Sequence, residues 1–175
     1  LDVAVRALID LKSGAMPDTR INLSHRTDGR DISVLILLDL SQSLNDPVAG
    51  GAQSILELAR EAVSLLGWAV DCLGDSCAIA GFHSNTRHDV RYQHIKGFGE
   101  RWDDPVKARL AAMQAGWSTR MGDALRHAGH TLAARQTSKK ILLVLTDGEP
   151  ADIDVAEPAQ LRADARKAVE ELTTA

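Results

Sequence analysis

Two apolar runs constrain this chain more than any other feature. They are Ile32-Ser33-Val34-Leu35-Ile36-Leu37-Leu38 and Ile141-Leu142-Leu143-Val144-Leu145. Each has the length of a strand, and a nearly unbroken apolar run suits a strand covered on both faces, as at the centre of a parallel sheet. Each run stops at an acid. The first ends in Asp39-Leu40-Ser41-Gln42-Ser43, the second in Thr146-Asp147-Gly148. In open α/β sheets the C-terminal ends of the strands are where ligands bind. An Asp and two Ser within such a short stretch offer only hard oxygen donors, which suit Mg²⁺, Mn²⁺ or Ca²⁺ rather than zinc.

The stretches between and around these runs read as an α/β alternation. Apolar side chains at Ile55, Leu58, Ala59, Ala62, Leu65, Leu66 and Ala69 predict a long helix over 54–72, with Trp68 in its core face. Gly74 and Asp75 form a turn, and Cys77 to Phe82 reads as a second strand ending at His83-Ser84-Asn85. Residues 88–96 alternate, which fits a more exposed and antiparallel edge strand. Short helices are predicted over 106–114 and 121–134, and a last helix over 160–172. Ahead of the first run, residues 1–30 read as a lead-in segment. It holds one short amphipathic helix over 2–12 and at most an edge strand around Ile21 to Leu23. The main domain then occupies 31–175. Its order (strand, helix, strand, strand, helices, strand, helix) implies a mostly parallel sheet that further strands would complete.

The chain has 175 residues, enough for one domain with a sizeable core. Aromatic residues make up only 3%, so that core must be built from Leu, Ile, Val and Ala. The net charge of -4 argues against general nucleic-acid binding. No apolar run approaches the roughly 18–20 residues that a membrane span needs, and no signal peptide is visible. The expected location is therefore cytoplasmic. Cys72 and Cys77 form no disulfide framework and read as buried thiols.

Oxygen donors sit at three separated places: Asp39, Ser41 and Ser43; Thr119 just before a helix, with Gly122 three residues on; and Asp147. Alternate spacing from 39 to 43 points three oxygens to one side. If the two apolar strands are neighbours, all five side chains converge on one sheet edge. Each group alone also has an ordinary explanation. Asp39 and the serines are typical turn formers and helix N-caps. Thr119 suits an N-cap, and Asp147-Gly148 is a turn signal. The histidines His83, His88, His94, His127 and His130 have no metal-ligand spacing.

Asp39-Leu40-Ser41-Gln42-Ser43, Thr119 and Thr146-Asp147-Gly148, in this order, resemble the metal-ion-dependent adhesion site of von Willebrand factor type A domains. The resemblance covers about residues 31–172. It implies a Rossmann-like fold with a central, mostly parallel sheet, one antiparallel edge strand and flanking helices. It also implies a divalent cation, Mg²⁺ foremost with Mn²⁺ or Ca²⁺ as alternatives, on Asp39, Ser41, Ser43, Thr119 and Asp147.

Longer stretches are similar to the C-terminal domains of the CbbO and NorD proteins, partners of MoxR-type AAA+ ATPases. These are Ser118 to Ala128, Leu145 to Val155, and Gly81 to Asn85 followed by His88 to Tyr92. The tail Glu157-Pro158 with Asp164 to Leu172 is closer to CbbO. The leading expectation is thus a non-catalytic adaptor of a Rubisco activase. It would grip an acidic residue of Rubisco while a CbbQ-like hexamer hydrolyses ATP. The alternative is a NorD-type adaptor for nitric oxide reductase activation. Arg120, Glu149 and Trp117 are candidate partner-binding residues, Trp117 because Trp is enriched at hot spots. An enzyme is a third class, because a strand-end Asp with Mg²⁺ can accept a phosphoryl group. Against it, dehalogenase-type phosphotransferases carry a second Asp two residues on, where Ser41 stands, and no Walker-type phosphate loop is present.

Overall fold

The structure is a computed structural model that describes residues 31–148, 150–155 and 157–174. The predicted helix over 2–12, the strand around Ile21 and the candidate Glu149 lie outside the described residues. Among the described residues, four strands, a 3-10 turn and four helices follow in chain order. They are β1 (Ile32–Asp39), the 3-10 turn (Gln42–Asn45), α1 (Ile55–Leu73), β2 (Ser76–Thr86), β3 (Asp89–Lys96), α2 (Asp104–Ala111), α3 (Met121–Ala133), β4 (Lys139–Leu145) and α4 (Pro158–Thr174). The sheet order is β3-β2-β1-β4. β1 pairs in parallel with β2 and β4, with Leu38 opposite Gly81 on one side and Leu145 on the other. β3 runs antiparallel to β2. This is the mixed, Rossmann-like sheet that the sequence implied.

β1 lies inside, and its period of two divides its side chains between two cores. Ile36 and Leu38 pack with Leu56, Val63, Val70, Ile79 and Leu110, beneath α1 and α2. Leu35 and Leu37 pack with Ala80, Phe82, Leu125, Ala128 and Ala168, beneath α3 and α4. Local signals set the helix ends. Ser54 and Glu57 form a reciprocal capping box at the start of α1, and Gly74 takes φ +73° at its C-terminus. Asp103 caps α2 by accepting from the Val106 N–H at 3.1 Å.

Several boundaries and burial expectations are corrected. β2 runs on to Thr86, because its pairing with β3 continues through His83, Ser84 and Thr86. The helix expected over 106–114 starts earlier, at Asp104, behind the Asp103 cap, and stops at Ala111. β4 is an edge strand among the described residues. Leu142 and Val144 join the α3–α4 core, but Ile141 is 45% exposed and Leu143 39%. Apolar composition specifies a strand but not whether both of its faces are covered. Trp68 is 55% exposed rather than in the core. Trp102 packs on α1 in its stead, against Gly67, where an added Cβ would lie 2.7 Å from the Trp102 ring. Cys77 is buried as expected, whereas Cys72 is exposed.

Candidate metal centre

Asp39 ends β1 with its side chain taken out of water, its residue being 1% exposed. It sits where the parallel pairing of β1 with β2 and β4 finishes, so neighbouring loops close over it. Its partners are all neutral donors. The Ser41 backbone N–H donates to Asp39 Oδ1 at 2.9 Å. The Thr119 hydroxyl lies 3.3 and 3.4 Å from Oδ1 and Oδ2 and donates to the carboxylate. The Thr146 hydroxyl donates to Oδ2 at 2.9 Å. Ser41 and Ser43 place their hydroxyl oxygens 3.1 Å apart. Ser41 and Thr119 are buried, at 5% and 3% exposure. Asp147 is exposed, and its charge acts on Asp39.

Asp39 keeps an ordinary role, since accepting from the Ser41 N–H two residues on is an Asx turn, but the capping roles of Ser41 and Thr119 are not the ones the structure gives them. Ser41 precedes the 3-10 turn but makes no side-chain cap. The N-cap of α3 is Arg120, not Thr119, and it too makes no side-chain cap. The oxygens are turned toward one another instead. The structure therefore brings Asp39, Ser41, Ser43 and Thr119 together, with Asp147 close enough for its charge to be felt. It adds Thr146, which the sequence motif contains but the candidate ligand set omits. Its signal was a hydroxyl beside Asp147 at a strand end.

The electrostatics favour a cation. Burial holds the Asp39 carboxyl above its ordinary pKa. Hydrogen bonds from Thr146 and Ser41 pull the other way, and the negative charge of Asp147 adds to the upward push. Among the described residues no Lys, Arg or His pairs with Asp39. A buried carboxylate normally needs a compensating charge. Two carboxylates and several hydroxyls are the oxygen-only set that a hard divalent ion takes. Among the described residues no group of three or more His, Cys, Asp and Glu is arranged to hold a metal, so the centre rests on these carboxylates and hydroxyls.

Around the centre, the candidate Arg120 is turned inward. Its Nε donates to Asp152 at 2.8 Å, with side-chain exposures of 15% and 0%. The same loop is tied by the Thr119 N–H, which donates to the Ala151 carbonyl at 2.7 Å. Arg120 thus fastens a loop beside the centre. Trp117 is 52% exposed, with the Arg91 guanidinium 5.6 Å from its ring centre.

Comparison with known proteins agrees with the fold. The family model described as von Willebrand factor type A domain matches residues 33–170. The chain is 37% identical to Protein NorD of Brucella abortus over 172 residues, covering 98% of this chain and 27% of that protein. It is 32% identical to Protein NorD of Stutzerimonas stutzeri, over 93% of this chain and 26% of that one. The chain thus spans about a quarter of the length of these curated relatives. Among solved structures, the PilB minor pilin of Streptococcus sanguinis superposes with a TM-score of 0.55 at 19% identity, covering 69% of this chain and 30% of that chain, a likeness of fold alone. With its family model spanning both apolar strands and the loops that surround Asp39, this chain belongs to the von Willebrand factor type A domain family.

Proposed function

We propose that this domain grips an acidic residue of a partner protein through a divalent cation, as the recognition part of a NorD-type protein acting on nitric oxide reductase. The observation that carries the reading is the buried Asp39 carboxylate, ringed by hydroxyl and N–H donors, with a second acid beside it and no basic partner among the described residues. Asp39, Ser41, Ser43, Thr119 and Asp147 would hold the ion, Mg²⁺ foremost. A bound Mg²⁺ keeps part of its shell open to outside oxygen ligands, and a partner carboxylate is a directional, charge-assisted occupant.

Thr146 is a positioning residue, holding Asp39 Oδ2 from just past the end of β4. The scheme asks for no nucleophile or general base, so we assign a non-catalytic role. ATP hydrolysis belongs to a separate MoxR-type AAA+ partner. Among the described residues no helix is long and apolar enough to cross a membrane.

The choice of partner follows the relatives. Identity to NorD proteins over almost the whole chain outweighs the short tail, residues 157–172, that favoured a Rubisco activase. A pull-down with the full-length protein tests both. Nitric oxide reductase and Rubisco are offered separately, in Mg²⁺ or EDTA, to wild type and Asp39→Ala. Capture of nitric oxide reductase in Mg²⁺, lost with EDTA and with Asp39→Ala, is the expected result. Capture of Rubisco in its place would restore the second reading. Capture indifferent to both treatments would remove the metal bridge.

A further inference from the structure

Two large apolar side chains stand in water beside the candidate centre. Trp117 is 52% exposed and Ile153 80%. Burial of such side chains is worth about 1.5–3 kcal/mol each, so folding does not account for their position. Both are held firmly there. Trp117 has φ +70°, which a bulky residue adopts only where its surroundings impose it. The imposing contacts are on the backbone. The Gly116 N–H donates to the Leu40 carbonyl at 2.8 Å, and the Gln42 N–H to the Trp117 carbonyl at 3.0 Å. Ser118 and Ser84 exchange both of their backbone bonds at 2.8 Å. The Arg91 guanidinium over the indole is itself paired to Asp89 at 3.0 Å.

The turn that carries Ile153 is fastened just as closely. The Asp152 carboxylate accepts from Arg120 Nε at 2.8 Å and from the Asp154 N–H at 2.9 Å. Asp154 accepts from the Arg87 N–H at 3.0 Å, at the turn between β2 and β3. The Ala151 carbonyl accepts from the Thr119 N–H. Each exposed apolar residue is therefore one residue from the 118–120 segment or from its direct partner. That segment also delivers the Thr119 hydroxyl to Asp39.

We infer that Trp117 and Ile153 are apolar anchors for the partner segment whose carboxylate the centre takes. The ligand is then a protein segment with an Asp or Glu among apolar neighbours. The inference rests on the grip proposed above and narrows it. Two acids at the centre call for a cation, and the cation calls for an anionic ligand. Trp117 and Ile153 add apolar area next to it, and the backbone bonds that fix both loops leave less conformational entropy to be lost on binding. A free small carboxylate would leave both anchors in water, whereas a segment carrying apolar side chains covers them.

The test uses the full chain against a displayed library of random peptides, selected in Mg²⁺ or EDTA. Wild type, Trp117→Ala and Ile153→Ser are compared, with thermal melts to confirm folding and calorimetry to confirm Mg²⁺ binding. The expected peptides are Mg²⁺-dependent, carry an acid with apolar neighbours, and bind at least about tenfold more weakly to Ile153→Ser and to Trp117→Ala. Mg²⁺-dependent peptides without apolar neighbours, or indifferent to Ile153→Ser, overturn this inference and leave the grip standing. No Mg²⁺-dependent peptide on a chain that binds Mg²⁺ overturns both. Self-association of the chain that Ile153→Ser abolishes would assign the anchors to a second copy, and overturns the inference as well.

Discussion

Replacing Asp39 by Asn should be nearly neutral for stability without Mg²⁺ and cost the chain its Mg²⁺ stabilisation when the ion is present. The side chain is 1% exposed, and burial pushes its pKa up. The charge is therefore a cost to the fold when no cation offsets it. Asn keeps the shape. Its carbonyl oxygen accepts from the Ser41 N–H, and the hydroxyls of Thr119 and Thr146 rotate to accept from its amide. The loss of charge-assisted hydrogen bonds opposes the relief of desolvation. The metal-free variant is thus expected within about 1 kcal/mol of wild type. Mg²⁺ at a hundredfold excess over its dissociation constant then adds about 2.7 kcal/mol to wild type alone. For a domain of this size that amounts to ~5–10 °C in Tm. Paired thermal melts in EDTA and in saturating Mg²⁺ read both numbers. An equal Mg²⁺ shift in the two proteins would refute the assignment of Asp39 as a ligand. A loss of several kcal/mol in EDTA would refute the argument that its charge is uncompensated.

Arg120→Ala leaves the fully buried Asp152 carboxylate without its cation and should cost about 3 kcal/mol. Asp152→Ala should cost a similar amount, and the double variant clearly less than the sum in denaturant titrations. The cysteines should separate in a thiol titration of the native chain. Cys72 is exposed and reacts at once, whereas Cys77 is buried with its thiol pushed up to about 11 and reacts only on unfolding.

The two apolar runs, the helical period of α1 and the oxygen donors at the strand ends were all legible before any coordinates. Each of these is a local pattern, in which side-chain type and spacing carry the physics. The sequence by itself therefore determined the α/β class, the antiparallel edge and the candidates Asp39, Ser41, Ser43, Thr119 and Asp147. What it left open depends on which neighbours the fold supplies. Ile141 and Leu143 look like core residues, yet β4 lies at the edge of the described sheet. Trp68 reads as a core residue of α1, yet it is 55% exposed and Trp102 packs against α1 at Gly67, where an added Cβ would meet the Trp102 ring. Arg120 reads as a free cation, but a loop about thirty residues away supplies Asp152 to hold it. Only the tertiary structure decided that Thr119 turns to Asp39 rather than to the helix beside it, and that Thr146 reaches Asp39 while also bonding within its own turn to Gly148. Their hydroxyls satisfy a helix end or a carboxylate equally well, and the choice falls to the packing that buries Asp39 between β2 and β4, where the Ser41 N–H and these two hydroxyls are its donors among the described residues.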